Sequence, residues 1–133
     1  MKPLYIVWND DSNLGVPIID EQHHAIVATI NSLYFFIQEG WGLSALKPTL
    51  NIIKMYSGFH AKTEEGILMN LQYPELPEHI QCQKRFEKYV DEATSEALLN
   101  QDPNILLKFL RDWWIGHLKT EHAEYAEVFK KLK

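Results

Sequence analysis

Four long segments of this chain repeat apolar residues at steps of three and four, and a proline or glycine break separates each from the next. That spacing gives each of four helices one apolar face, which must be buried against other helices. Strand signals are poor, because no pair of alternating runs is joined by Asn-Gly or Asp-Gly. The chain therefore reads as all-α. Four amphipathic helices with short connections predict an up-down-up-down four-helix bundle.

An irregular N-terminal arm from Met1 to about Ile18 precedes a first helix from near Asp20 to Gln38, closed by Gly40-Trp41-Gly42. Its stripe is Ile19, His23, Ile26, Ile30, Leu33 and Ile37. Ser44 is the expected N-cap of a second helix reaching about Leu71, with Pro48 in its first turns or marking a later start. The stripe here is Leu46, Leu50, Ile53, Ser57, His60, Glu64, Ile67 and Leu71. After the break at Tyr73-Pro74-Glu75-Leu76-Pro77, a third helix runs to about Leu99 with the stripe His79, Gln83, Phe86, Val90, Ala93 and Ala97. Asp102-Pro103 supplies an N-cap and a first-turn proline for a fourth helix reaching nearly to Lys133. Its stripe is Leu106, Leu110, Trp113, His117, His122, Tyr125, Phe129 and Leu132.

At 133 residues, with 46% hydrophobic side chains, the chain is the size of one domain, expected over 1–133, and is too apolar to be disordered. No stretch stays apolar for the ~18 residues of a membrane span. Thirteen basic against 18 acidic residues leave a net charge of −5, which gives no field to attract nucleic acid or an anionic membrane. Cys82 is the only cysteine, so no intrachain disulfide forms, and the N-terminus lacks a cationic region followed by an apolar run. A cytoplasmic location is the expectation.

Polar residues stand in phase with the aliphatics: His23; His60 and Glu64; His79 and Gln83; His117 and His122. Each buried imidazole, carboxylate or amide costs on the order of a few kcal/mol unless hydrogen-bonded or bound to metal. Counting from the turns gives compatible depths. His23 lies 18 residues before Trp41 and His60 19 after it. The connection through Tyr73-Pro74 needs an asymmetric turn to bring His60 and Glu64 level with His79 and Gln83. Between Leu110 and Leu132 the fourth stripe takes 22 residues in six steps, a period near that of an ideal helix, which makes His122 core-facing. Glu121, four residues after His117, is a contingent ligand in its place. Five histidines, one glutamate and one glutamine suit iron, zinc, copper or manganese, and two metals sharing Glu64 would use the whole set.

Any one of these histidines, taken alone, reads more simply as a satisfied core or surface residue; five in phase do not. His24 falls off the stripe and is expected to face solvent. Gln83 is a poor ligand and a plausible hydrogen-bonding partner instead. Trp113, Trp114, Phe35, Phe36, Phe59 and Tyr125 read as packing, and Cys82 as a small core or boundary residue.

Taken together, these residues resemble the bacterial hemerythrin family. The resemblance spans nearly the whole chain: Trp8 and Gly15 in the arm, Ile19-Asp20-Glu21-Gln22-His23, Phe59-His60 with Glu64-Glu65, Tyr73-Pro74 with His79 and Phe86, and Trp113 four residues before His117, with Tyr125 beyond. It implies a four-helix bundle holding two non-heme iron ions that reversibly bind dioxygen. It also implies that His23 and His60 hold one iron, that His79 and His117 hold the other, and that Glu64 bridges them. This chain departs from the family at Gln83, where a second histidine is usual, and at His122, where a bridging aspartate is usual; Leu68 stands where many members carry methionine. A neutral imidazole has one free lone pair and cannot bridge two cations, so His122 would be a terminal ligand, leaving the centre about one unit more positive.

The resemblance implies a protein that handles dioxygen or another diatomic ligand and is not primarily an enzyme. Two other classes stay open: a di-iron oxidase, peroxidase or nitric-oxide-handling protein, and a signalling module with one metal or none. The Glu-x-x-His pairs of carboxylate-rich di-iron enzymes are absent from the stripes.

Overall fold

The computed structural model describes residues 3–130, of which the side chains of 122, 123, 126 and 129 lie outside the description. Helix α1 is Pro17–Gln38, α2 is Gly42–Asn70, α3 is Leu76–Leu99 and α4 is Asn104–Thr120; a π-helical turn, Glu121–Tyr125, joins α4 to the short α5, Ala126–Phe129. α1 packs on α2 and α4, and α3 packs on the same two neighbours. That is the cyclic neighbour order of an up-down-up-down bundle, and no strand occurs among the described residues. No described helix is long and apolar enough to cross a membrane.

Several boundaries differ from the sequence reading, each for a local reason. α1 begins at Pro17, whose fixed φ suits the first helical position. Asp20 is thereby placed inside the helix, where its carboxylate accepts from the backbone N–H groups of Leu14 and Gly15 at 2.8 and 3.1 Å and ties down the arm. α2 begins at Gly42 without a side-chain cap, so Ser44 lies inside the helix. The preceding turn is closed by Gly40 at φ +83° and by a 2.7 Å bond from Trp41 N–H to the Phe36 carbonyl. In the second connection Gln72 takes φ +57° and Tyr73 N–H reaches back to the Leu68 carbonyl at 2.9 Å, which is the asymmetric turn the depth argument required. The fourth helix is not continuous to the C-terminus, because the π turn interrupts it after Thr120.

Gly42 marks the closest approach between connections. A Cβ there would lie 2.7 Å from Pro103 Cγ and 2.8 Å from Ile37 Cγ1. Gly42→Ala should therefore destabilise the fold by about 1–3 kcal/mol, the range for overpacking, despite alanine's better helix propensity. Chemical denaturation measures it, and a neutral or stabilising result would show that the two connections separate easily.

The arm lies along α1. Asn31 pairs with the backbone of Ile6 through both amide atoms, at 2.8 and 2.9 Å, and Trp8 stacks on the exposed ring of His24 at 3.6 Å. The main core runs from Ile26, Ile30 and Ile53 through Phe86 and Val90 to Leu110 and Trp114. A second cluster of Val16, Ile19, Leu68 and Tyr125 closes the other end. The polar residues of the stripes lie in sequence between the apolar residues of these two clusters, which shield them from bulk water.

Candidate metal centre

α1 presents His23 one turn after the fully buried Ile19, and α2 presents His60 and Glu64 one turn apart on its buried face. α3 contributes His79 near its start, and His117 and Glu121 follow each other at i, i+4 where α4 gives way to the π turn. His23, Glu64 and Glu121 are fully buried and His60 nearly so. Their ligating atoms converge. His60 Nε2 lies 3.1 Å from His23 Nε2, 3.2 Å from His117 Nε2 and 2.9 Å from Glu64 Oε1. Glu121 Oε1 is 3.1 Å from His117 Nε2 and 3.7 Å from His60 Nε2, while Glu64 Oε1 also meets His79 Nε2 at 3.2 Å. Ligand atoms of His23, His60, His117 and Glu121 all fall within 4.8 Å of one another.

The hydrogen-bond inventory shows why a cation fits. Thr63 Oγ1 donates to the Phe59 carbonyl at 3.0 Å and so accepts from Gln22 Nε2 at 2.9 Å. This turns Gln22 Oε1, an acceptor only, toward His60 Nδ1 at 3.0 Å. His60 therefore carries its proton on Nδ1, and in the neutral ring Nε2 is a lone pair aimed at two other imidazole nitrogens and a carboxylate. Lone pairs in such a group repel unless a proton or a metal ion stands among them. Glu64 Oε2 and His79 Nδ1 are also buried with no hydrogen-bond partner among the described residues. Imidazole nitrogens and carboxylate oxygens with this convergence are the donor set of a borderline divalent cation.

Residues 14–129 match the hemerythrin HHE cation binding domain, which covers most of the chain. The chain belongs to the hemerythrin family. It is similar to bacteriohemerythrins of Stenotrophomonas maltophilia (27% identity over 94% of this chain and 82% of the relative) and Pseudomonas aeruginosa strain LESB58 (28%, over 95% and 82%). A bacteriohemerythrin of Clostridium acetobutylicum is 27% identical over 91% of this chain and 98% of its own length. The protein is thus a hemerythrin-like metal-binding domain with a cluster of histidines and glutamates in its core.

Within this hemerythrin domain, the sequence-derived candidates His23, His60, Glu64, His79 and His117 come together. Gln83 is half-buried and its amide faces Ser57 Oγ at 3.5 Å and Glu87 Oε1 at 3.4 Å, both long contacts. The side chain of His122 lies outside the described residues. Glu121, ranked behind His122 by the helix-period argument, is fully buried in the cluster. Trp114, and not the half-buried Trp113, fills the core position of the fourth stripe. Cys82 is exposed, contrary to its reading as a core or boundary residue: it lines the open cleft between α3 and α4, where its sulfur accepts from Arg85 at 3.1 Å.

Gln22, which stands in the 19–23 motif of the family resemblance with no role assigned to it there, sets the His60 tautomer. Tyr125 packs as expected, buried with Val16, Ile19 and Leu68, and its ring also lies 5.5 Å from that of His79. Burial, reinforced by the charges of Glu121 and Glu64, pushes its phenol well above the usual range, so its hydroxyl keeps its proton.

Without metal the cluster holds protons instead. Burial pushes the His60 imidazole down, but the neighbouring carboxylates of Glu121 and Glu64 outweigh it, and the group rises from 6.5 to about 9. His79 is raised for the same reasons, burial being outweighed by its bond to Glu64. Glu121 is held well below 4.5, since bonds to Glu64, His117 and His60 outweigh its burial. A histidine raised on folding stabilises fully below its unfolded value and ceases to do so above its folded value. A carboxylate lowered on folding behaves in the opposite sense. Chelator-treated protein should therefore be most stable between about 4.5 and 6.5 and should weaken steadily as the pH rises through 9. Urea midpoints at pH 6, 7.5 and 9 check this; a flat profile would remove the protonated His60 pair from the metal-free protein.

Proposed function

We propose that this domain holds two non-heme iron ions in its bundle core and binds dioxygen there, for carriage, storage or sensing in the cytoplasm, and is not primarily an enzyme. The observation that supports this best is the convergence of imidazole nitrogens and two carboxylates from four helices, whose lone pairs a metal ion standing among them would engage together. His23, His60, His117 and Glu121 would hold one ion. Glu64 would bridge toward a second held by His79, with His122 and Gln83 as the remaining candidate ligands. Bound as a ferrous pair, iron supplies the electrons for reversible capture of dioxygen.

The protein's own residues do the rest. Gln22 orients His60 and keeps the Nδ1 proton, so Nε2 stays available. Ile19, Leu68 and Trp114 exclude bulk water. Tyr125 holds a phenolic proton beside His79 and the carboxylates.

One observation favours a second reading. The donors of His23, His60, His117 and Glu121 suffice for a single ion and form a group without Glu64 or His79. A mononuclear redox protein or sensor would use that group alone. Elemental analysis of protein made with iron, together with visible absorption as air meets the reduced form, separates the readings. Two irons per chain and a band that appears with air and vanishes on removing it support the di-iron carrier. One metal per chain supports the mononuclear reading, and irreversible oxidation with two irons supports a redox protein in place of a carrier.

A further inference from the structure

The outer face of the α1–α2 pair is apolar over most of its length. Phe35, Phe36 and Phe59, which sequence alone assigns to packing, stand on it with Trp41, Ile52 and Tyr56, and each leaves between 38% and 69% of its surface exposed. A groove of about 450 Å³ runs between the two helices, lined by small residues such as Ala25, Ala28 and Ala45 and flanked by the rings of Phe36, Trp41 and Tyr56.

Charge is missing from this face. From Ala25 to Gln38 α1 carries no charged residue, whereas α3 carries eight in 24 residues. On α2 between Trp41 and Phe59 only Lys47 and Lys54 are charged. Lys54 turns to Asp91 of α3 at 3.1 Å, and Lys47 does not line the groove. Even the hydroxyls are spent within their own helix, because Thr29 Oγ1 and Ser32 Oγ donate to the carbonyls of Ala25 and Ala28, each at 2.8 Å. Charges return only at the ends of the face, with Glu21 four residues before Ala25, Glu39 three after Phe36 and Lys62 three after Phe59.

Area and charge select the occupant. Taking 150–250 Å² for a fully exposed aromatic side chain, these half-exposed rings and the small residues between them present roughly 700 Å² of apolar surface. That is more than the roughly 300–600 Å² of the largest patch on a typical monomer. It approaches the ~800 Å² that each partner contributes to a standard protein interface. A membrane surface fits poorly, since the chain has a net charge of −5 and no cluster of lysines or arginines flanks the face. A protein partner must bring an uncharged surface of the same extent, and a second copy of this chain brings one by symmetry.

We propose that the chain pairs with a second copy of itself through the α1–α2 face, about a two-fold axis, the Phe36–Trp41 end of each groove lying over Ala25 and Ala28 of the other copy. A two-fold interface has to be self-complementary, and a groove that is bulky at one end and small along its middle meets that condition. Aromatic residues in place of Lys, Glu and Asp are the composition of an interface centre. Two acidic molecules thereby meet where neither carries charge, which keeps like charges out of the contact. The inference does not depend on which metal, or how many ions, the core holds.

Sedimentation equilibrium of the iron-loaded full chain tests it. The parent protein should show a mass near twice 15.6 kDa at about 100 µM and dissociate on dilution. Phe36→Lys brings two like charges into the contact and should weaken pairing at least about thirtyfold. Lysine suits the last turn of α1, so the helix is kept. Trp41→Ser, which places a favoured residue at the N-cap of α2, should weaken pairing several-fold and decides alone if Phe36→Lys does not fold. Tyr89→Lys, on α3 and 47% exposed against 41% for Phe36, should leave pairing unchanged. Circular dichroism and metal content of the folded variants should match the parent. A monomer at every concentration, whether or not it binds phospholipid vesicles or another protein, overturns the proposal. So does pairing that survives Phe36→Lys and Trp41→Ser, or that is lost equally in Tyr89→Lys.

Discussion

Glu121→Ala is expected to lower metal affinity by at least about a hundredfold and to leave the helical signal intact. Even residues that merely orient a ligand cost about 10–100-fold when removed, and Glu121 presents its carboxylate directly to the cluster. It is fully buried, 3.1 Å from His117 Nε2 and 3.7 Å from His60 Nε2, so alanine removes a charged donor that no neighbour replaces. Metal per chain after dialysis against a weak chelator, with far-ultraviolet circular dichroism, reads the result. His122→Ala is the companion measurement. Full metal content in that variant assigns the fourth-helix contribution to Glu121 alone, whereas a comparable loss places both residues in the ligand set. Retention of metal by Glu121→Ala would reject the cluster of His23, His60, His117 and Glu121 as the binding group.

Leu110→Ala is expected to destabilise the fold by about 2–5 kcal/mol and to lower the melting temperature by on the order of 10 °C. Leu110 is fully buried in the main core, one turn before Trp114 and two turns before His117. Its neighbours come from several helices, so they cannot all collapse into the space it leaves. Because the cavity opens in the apolar half of the bundle, metal content should stay near that of the parent protein below the lowered melting temperature. Thermal unfolding and elemental analysis of one preparation read both quantities. A loss below about 1 kcal/mol would mean that the core repacks freely; loss of metal at unchanged helicity would mean that the apolar half sets the positions of the ligands.

The four helices and most of the cluster were legible because helical spacing is a local property of the chain. Ile19, His23, Ile26, Ile30 and Leu33 keep step with the helix period, and all five are buried. The same holds for His60 with Glu64, and for His79 with Phe86 and Val90. Where the backbone departs from the regular period, side-chain spacing no longer reports which residues are buried. The ideal period through the fourth segment selects Leu110 and Tyr125, which are buried, and Trp113, which is half-buried beside the buried Trp114; it passes over Glu121, which is fully buried. The π-helical turn at Glu121–Tyr125 opens the hydrogen-bond pattern there, and no residue in that segment announces it. The role of Gln22 is illegible in the sequence for a different reason: it comes from Thr63 and His60 on another helix, and single-helix periodicity carries no information about a partner across an interface.

The sequence by itself determined an all-α chain with four amphipathic helices, their approximate limits, and the polar residues that share their buried faces. These follow from the spacing of side chains along one helix, which needs no knowledge of its neighbours. The tertiary structure alone decided which lone pairs meet, that Glu121 enters the cluster, that Gln83 turns to Ser57 and Glu87, and that a cleft opens between α3 and α4. Those outcomes depend on ångström-scale register between helices far apart in sequence, set by the turns at Gly40 and Gln72 and by the π turn, and each is a property of the packed whole.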